Sequence, residues 1–548
     1  MKRAIFFLLI TVNSVFALDT PFKHGVNITE WFQSPSVGQI QFTKYTKQDL
    51  IDIKSLGCDV VRLPINLHAM TGGAPDYIID PLLYTFLDQV VDWAEKLELH
   101  LILDNHSLNT QADTPVNIDT VLIPIWTQMA NHYKNRSEYI YYEILNEPHG
   151  ISDMAWNTIQ NNVIAAIRTI DTTHTIIVGP ANWNSHSNLE DTLPFTDSNL
   201  ILTFHFYDPF LFTHQGVKTT DPSLESLTDV PFPYFPDSMP ELPEDLEGTW
   251  IESAYNVYDG DGKYTELLNL ISKIGAFKQQ TNAPMFCGEF GVYRENAKDV
   301  HRDMWYFMTR FLFEYYGISW ATWDYKGGFG FYEKDTYELF DYDLNERLVG
   351  FLGFKVPAQS EFYLWPDTTG FTIYDDYVGQ NIVESSGLGA GKINFYSTNS
   401  PAYDDFCLLF TGVNQYSAIS LHFVPIKDLA TLAGHNYAID FYVRSNDPST
   451  EFKIRFVDTK TDAPDDHPWR KSYKVDDSLA TWDGNWNHVH IPLSSFVESG
   501  SFDDGQWYSP IGAFNWHEVD RFEIVAEYGD LIGTNIYFDN IKIVPLVP

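Results

Sequence analysis

The chain has 548 residues, 44% of them hydrophobic and 16% aromatic, with 34 Lys and Arg against 74 Asp and Glu, for a formal net charge of −40. That length allows roughly two to four domains around a large core, and the acidity makes nucleic acid, anionic membrane and polyanionic polysaccharide poor partners. A neutral polymer fits better, and three scattered cysteines, Cys58, Cys287 and Cys407, exclude a disulfide framework or a cysteine zinc site.

At the N-terminus, Lys2 and Arg3 precede the apolar run Ala4 to Ile10, and Val15 and Ala17 stand just before Leu18. This is the layout of a signal peptide over residues 1–17. The run is too short to cross a bilayer, which takes about 18 apolar residues or more, so the expected location is secreted or periplasmic.

From Lys23 onward, strand-like apolar runs alternate with helix-period segments. The runs are Lys23 to Asn27, Val60 to Asn66, His100 to His106, Ile140 to Pro148, His174 to Asn182, Leu200 to Asp208, Ala283 to Gly291 and Ile318 to Tyr325. Eight runs of this kind predict an α/β fold, a (β/α)₈ TIM barrel placed at residues 18–355. Between them, Leu83, Phe86, Leu87, Val90, Val91, Ala94 and Leu97 fall at helical spacing, as do Trp156, Ile159, Val163, Ile167 and Ile170. Ser152 is the expected N-cap of the second helix, and Gly57 closes another before its strand.

After the sixth run, Phe210 to Gly262 shows no helix or strand period but carries six prolines with Phe232, Tyr234, Phe235 and Trp250. Its place on the active rim suggests a wall of a substrate cleft. Asp259-Gly260-Asp261-Gly262 within it reads as a plain turn.

A linker at 356–369 leads to short strands with period-two alternation: Phe371 to Tyr374, Phe406 to Phe410, Tyr437 to Val443, Phe452 to Val457, His488 to Ile491, Phe522 to Val525 and Asn535 to Ile543. These predict a jelly-roll-like β-sandwich over 370–548. Of its tryptophans, Trp469, Trp482, Trp486, Trp507 and Trp516, at most two are expected to face solvent as sugar platforms. Asp375, Asp376 and Asp539 are a candidate structural calcium cluster, with surface charge as the default reading.

Two glutamates carry the chemistry. Glu147 and Glu289 each end an apolar run, and a pair of carboxyls, one protonated and one ionised, is what glycosidic cleavage requires. Placed on a barrel, the residues ending the strands converge on one rim. The histidines lack the close helical spacing of a zinc site, so no active-site metal and no cofactor is expected.

The barrel resembles glycoside hydrolase family 5, the cellulase family of clan A. The resemblance rests on Gly25-Val26-Asn27, Val61-Arg62-Leu63-Pro64-Ile65, Asn146-Glu147-Pro148, His205-Phe206-Tyr207, Gly288-Glu289-Phe290-Gly291 and Trp320-Ala321-Thr322-Trp323, in order from Gly25 to about Gly353. It implies that Glu147 is the acid/base, Glu289 the nucleophile and the outcome retention. Arg62 and Tyr207 would hold Glu289, Asn146 would bond the sugar 2-hydroxyl, and His106, His205 and Asn27 would support the site. Trp323 would floor the cleaved sugar, with Trp31 and Trp183 extending that platform. The C-terminal sandwich resembles carbohydrate-binding modules more loosely.

The expected activity is secreted, endo-acting hydrolysis of β-1,4-glucan in cellulose-like or mixed-linked polymers, by a monomer. Mannanase, glucomannanase or xyloglucanase activity is the alternative within the family. A catalytically dead polysaccharide-binding barrel is the alternative outside enzymes, but it would be expected to have lost one of the two carboxylates.

Overall fold

A computed structural model of the chain describes residues 19–107, 112–192, 194–389 and 391–546. The proposed leader, residues 1–17, lies outside the described residues. No described helix is long and apolar enough to cross a membrane.

Eight parallel strands close into a barrel: β1 (His24–Asn27), β2 (Val60–Ile65), β3 (His100–Asn105), β4 (Ile140–Glu143), β5 (Ile176–Val178), β6 (Leu200–Phe206), β7 (Met285–Phe290) and β8 (Ser319–Thr322), with β8 pairing back to β1. All eight fall inside the runs read from sequence. They are legible because barrel strands are buried on both faces and read as unbroken apolar segments. β2, β6 and β7 are buried at every position.

The helices begin and end on the expected signals. Ser152 caps Asp153–Arg168 through the Ala155 amide, and Gly57 adopts φ 106 behind Lys47–Leu56, a left-handed position that favours glycine. Leu83, Phe86, Leu87, Val90, Val91 and Ala94 form the buried face of Pro81–Lys96.

Side chains inside the barrel stack in layers two residues apart along each strand. The bottom layer is apolar: Val60, Ile102, Tyr141, Ile177, Ile201, Phe286 and Ala321. Phe22 plugs it, with its ring 5.3 Å from both Tyr141 and Phe286. Two residues further along, the same strands present Arg62, Asp104, Glu143, Thr203 and Gly288. The barrel therefore changes from oil to charge in one step toward its C-terminal rim.

The 210–262 connection is more ordered than its sequence implies. It contains the helix Trp250–Asp261, capped by Thr249, and the short helix Phe210–Thr213. Leu224, Leu227, Val230, Phe232 and Leu246 are buried beneath it. Only Ile251 and Tyr258 of the longer helix are buried, too sparse a stripe to show as periodicity. Asp259 to Asp261 thus end a helix rather than form a free turn.

The C-terminal region contains a seven-stranded and a six-stranded antiparallel sheet. The first joins Thr372–Asp375, Asn535–Pro545, Cys407–Thr411, Ile393–Ser397 and Tyr437–Arg444 with Tyr377–Val378 and Asn487–Pro492. The second runs Ile382–Glu384, Ala418–Lys427, Val519–Val525, Phe452–Asp458, Arg470–Val475 and Val497–Glu498. All seven strands expected from sequence are present. The ten-residue strand Ala418–Lys427, which carries Pro425, and the charged strand Arg470–Val475 were not foreseen.

This region packs directly on the barrel. The Tyr396 hydroxyl donates to Ile40 O (2.7 Å) and accepts from the Phe42 amide (3.1 Å). The Gln41 side chain donates to Ile382 O (2.5 Å) and accepts from the Glu384 amide (2.8 Å). Phe86 of helix Pro81–Lys96 lies 4.7 Å from the Tyr396 ring, and Phe42 lies 6.3 Å from Tyr377. The two regions share one continuous apolar core.

Candidate active site

Arg62, fully buried on β2, organises the floor. Its Nη1 donates to Glu289 Oε1 (2.8 Å) and Asn27 Oδ1 (3.0 Å), and its Nη2 donates to Asn146 Oδ1 (2.8 Å). Its Nε and Nη2 grip Glu143 at 2.8 and 2.9 Å, and Asp104 Oδ2 lies 2.9 Å from Nη2. A guanidinium suits this arrangement because its donors point in a fixed plane toward several acceptors. Burial alone would lower its pKa, but Asp104, Glu143 and Glu289 outweigh burial and hold it well above the usual value.

Asp104 and Glu143 were not anticipated as site residues, yet they hold Arg62 in place. Each lies two residues beyond an apolar bottom-layer residue, Ile102 and Tyr141, and directly follows a run of apolar residues, Leu101 to Leu103 and Ile140 to Tyr142. A charge at that phase of a barrel strand is the signal that could have found them. Burial raises both carboxyls, opposed in each case by Arg62.

Glu289, near the end of β7, has both oxygens engaged: Arg62 donates to Oε1 and the Tyr207 hydroxyl to Oε2 (3.0 Å). Glu147 lies not at the end of β4, which stops at Glu143, but four residues beyond on the following loop. Its backbone is left-handed (φ 47), a conformation that costs a non-glycine residue about 1–3 kcal/mol and persists only where the surroundings enforce it. Here Asn184 Oδ1 accepts the Glu147 amide (2.8 Å), and His149 Nδ1–H donates to its carbonyl (2.8 Å). Asn184 and His149 are further residues not read from sequence.

His205 links the two acids, with Nδ1 2.7 Å from Glu147 Oε1 and 3.6 Å from Glu289 Oε2. Side-chain donor atoms of Glu147, His205 and Glu289 all lie within 4.8 Å of one another. Burial lowers the His205 pKa to about 4, so the ring is neutral at pH 7. Burial raises the Glu147 carboxyl, against the pull of His106, Arg62 and His149.

His106 Nδ1–H donates to Asp104 Oδ2 (2.9 Å), which leaves Nε2 to accept from Asn146 Nδ2 (3.3 Å). The His106 ring stacks on half-buried Trp323 at 5.5 Å and 18°. Trp183, 39% exposed, stacks on His149 at 3.6 Å and 6°, one loop away from Glu147. Asn27 is buried beneath the site, bonded to Gly288 O, Thr322 O and Arg62, so it supports the floor.

Trp31 departs from expectation. It is 1% exposed, donates Nε1–H to Phe42 O (3.1 Å) and packs against Phe32, Phe42 and Tyr45. It belongs to the core and not to the platform, because its ring is enclosed by Phe32, Phe42 and Tyr45. An aromatic train runs outward instead: Tyr207 meets His214 edge-on (4.9 Å), His214 stacks on Phe210 (4.0 Å), and Phe210 meets Trp250 (5.4 Å), which is 49% exposed.

In the C-terminal region, Asp375 pairs with Lys542 (2.8 Å), Asp376 accepts the Phe406 amide (2.7 Å), and Asp539 accepts the Ala402 and Tyr403 amides (2.8 and 3.0 Å). These three carboxylates do not gather as one metal-binding group among the described residues. Their charge is met by a lysine and by backbone amides. Trp469 and Trp482 are buried, Trp516 packs against the core, Trp486 is half-buried and Trp507 is exposed.

Residues 23–328, more than half of the chain, match the family described as Cellulase (glycosyl hydrolase family 5). The chain belongs to glycosyl hydrolase family 5. Residues 380–545 of this family 5 chain match Carbohydrate binding domain 30. Endoglucanase 3 of Fibrobacter succinogenes is 29% identical over 333 residues, 57% of this chain and 50% of that protein. Endoglucanase H of Acetivibrio thermocellus is 25% identical across 95% of this chain and 53% of that protein. The family 5 chain thus spans about half the length of these two curated relatives. The solved structure of Thermotoga maritima Cel5A in complex with mannotriose superposes with a TM-score of 0.51 at 27% identity, covering 60% of this chain and 97% of that one.

Proposed function

We propose that the chain is an exported, endo-acting β-1,4-glucanase that cleaves with retention, and that its domains are a catalytic barrel at 18–355 and a carbohydrate-binding sandwich at 370–548. The reading rests on Glu147 and Glu289, two carboxyls from the loop after β4 and the end of β7, with donor atoms within 4.8 Å of each other and of His205. Retaining glycosidases hold their carboxyls about 5–5.5 Å apart, whereas inverting enzymes leave room for a water at 6.5–9.5 Å.

In this reading Glu147, whose carboxyl is raised by burial, protonates the departing glycosidic oxygen. Glu289, aligned by Arg62 and Tyr207, attacks the anomeric carbon and forms a glycosyl ester. Water, deprotonated by Glu147, then cleaves that ester and returns both acids to their starting states. Trp323 floors the sugar at the point of cleavage, Asn146 bonds its 2-hydroxyl, and Trp183 and Trp250 extend the platform along the chain.

The relatives named as endoglucanases favour glucan. The mannotriose complex of the Thermotoga maritima protein keeps mannan within reach. A panel of carboxymethylcellulose, barley β-glucan, glucomannan, galactomannan and xyloglucan decides between them. Glu289→Gln should abolish release of reducing sugar, and proton NMR during early hydrolysis should show the β-anomer first. Unchanged activity in that variant, or initial α-anomer, overturns the mechanism.

A further inference from the structure

The strands Tyr437–Arg444 and Asn487–Pro492 pair antiparallel, with Asp440 opposite His490 and Tyr442 opposite His488. Directly opposed residues share a sheet face, and here Phe441, Val443, Val489 and Ile491 point into the core. Asp440, Tyr442, His488 and His490 therefore stand together on the outer face. His488 Nε2 lies 2.6 Å and His490 Nδ1 2.7 Å from the same oxygen, Asp440 Oδ2. The three donor atoms fall within 4.8 Å of one another.

The neighbourhood holds this cluster open and ordered. The His488 ring stacks on Tyr442 (4.7 Å, 13°), whose hydroxyl is bonded by Tyr403 (2.9 Å). Lys542, opposite Asp440 on the strand Asn535–Pro545, directs its ammonium to Asp375 instead (2.8 Å). The His488 and His490 side chains are 51% and 34% exposed, so solvent reaches the cluster.

Two imidazole nitrogens and one carboxylate oxygen form the donor set of zinc and the other late first-row divalent ions. Such ions take these ligands at about 2.0–2.2 Å, which places donors roughly 3.3–3.6 Å apart around a tetrahedron. The observed contacts need to open by about 0.6–1 Å, a side-chain adjustment on strands already fixed by their ladder. A chain of charge −40 also concentrates cations at its surface.

We propose that Asp440, His488 and His490 form a three-ligand site for a divalent transition-metal ion, best fitted to zinc, on the outer face of the C-terminal region. In the metal-free chain the ring nitrogens facing Asp440, Nε2 of His488 and Nδ1 of His490, donate to Oδ2; to ligate the ion each ring carries its proton instead on the nitrogen turned away, Nδ1 of His488 and Nε2 of His490. Water completes the coordination. Because, among the described residues, Asn487–Pro492 is an edge strand paired only with Tyr437–Arg444, the ion staples that edge to the sheet.

The test is calorimetric titration of the metal-free full chain with zinc chloride, for the wild type, H488A/H490A and D440N, with thermal melts alongside. Loss of outer-shell partners alone weakens metal binding about 10–100-fold, so loss of two direct ligands should weaken this site by at least about 100-fold. The expected result is one saturable site in the wild type that is lost in H488A/H490A and weakened in D440N, with zinc raising the melting temperature of the wild type only. Magnesium should do neither. Identical isotherms for wild type and H488A/H490A overturn the proposal, as does a site that survives in H488A/H490A and disappears in Glu289→Gln, which would place the ion on the catalytic acids.

Discussion

Removing everything after residue 355 should destabilise the barrel, because its surface around Ile40, Phe42 and Phe86 is finished by the C-terminal region. Ile40 and Phe86 are fully buried and Phe42 nearly so, against Tyr377 and Tyr396. Full exposure of such a side chain costs about 1.5–3 kcal/mol. Each keeps part of its barrel contacts, so the three together should cost on the order of 3–5 kcal/mol. Unfolding entropy near 2.1 cal/mol/K per residue gives a barrel of this size about 0.7 kcal/mol/K, so the melting temperature should fall by roughly 4–7 °C. Calorimetric melts of the full and truncated chains measure this. Hydrolysis of soluble oligosaccharide should be spared well below both transitions and lost first by the truncated form on heating.

Gly38 supplies the control. A Cβ at Gly38 would lie 2.6 Å from Asn394 Oδ1, and that oxygen is held by the Tyr396 amide (2.8 Å). Gly38→Ala should therefore destabilise the full chain by about 1–3 kcal/mol and leave the truncated barrel unchanged. Equal melting temperatures for full and truncated chains, together with a Gly38→Ala effect that persists without the sandwich, would refute the reasoning.

Three other predictions concern the barrel. Tyr207→Phe removes the hydrogen bond to Glu289 Oε2 and should lower kcat about 10–100-fold with little change in melting temperature, as a lost bond to a charged group of about 1.5–3 kcal/mol implies. Arg62→Lys cannot serve Glu143, Asp104, Glu289, Asn27 and Asn146 with three donors and should cost about 3–5 kcal/mol in urea unfolding, on the scale of breaking a buried ion pair. Burial raises the Asp324 carboxyl from 3.8 to about 8, while Thr29 donates to its Oδ2 (2.8 Å). The folded chain thus binds the extra proton between those values, and the associated stability is complete below pH 4 and lost as pH rises through 8. Asp324→Asn should flatten the fall in stability between pH 5 and pH 8 by on the order of 2–4 kcal/mol in urea titrations, and parallel pH profiles for the two proteins would contradict it.

The barrel was readable because both faces of its strands are buried, so hydrophobicity alone marks β2, β6 and β7. The helix Trp250–Asp261 was not, because it buries only Ile251 and Tyr258 and draws its order from contacts with distant residues such as Pro231, which accepts the Tyr258 hydroxyl (2.8 Å). Asp104 and Glu143 escaped notice for a related reason. Their phase along the strand marks them as inward-facing, but only closure of the barrel brings β2, β3 and β4 around Arg62 and decides what they grip.

The sequence by itself determined the alternation of strands and helices, the caps at Ser152 and Gly57, and the two glutamates with their neighbouring motifs, since each depends on residues close along the chain. The tertiary structure decided which side chains meet. It moved Trp31 into the core, assigned Asn27, Asp104 and Glu143 to the support of Arg62, drew Glu147 onto a left-handed loop beside His205, and sealed the barrel against Tyr396. These outcomes depend on contacts between residues tens to hundreds of positions apart, where burial and the geometry of closure, rather than local propensity, set the energy.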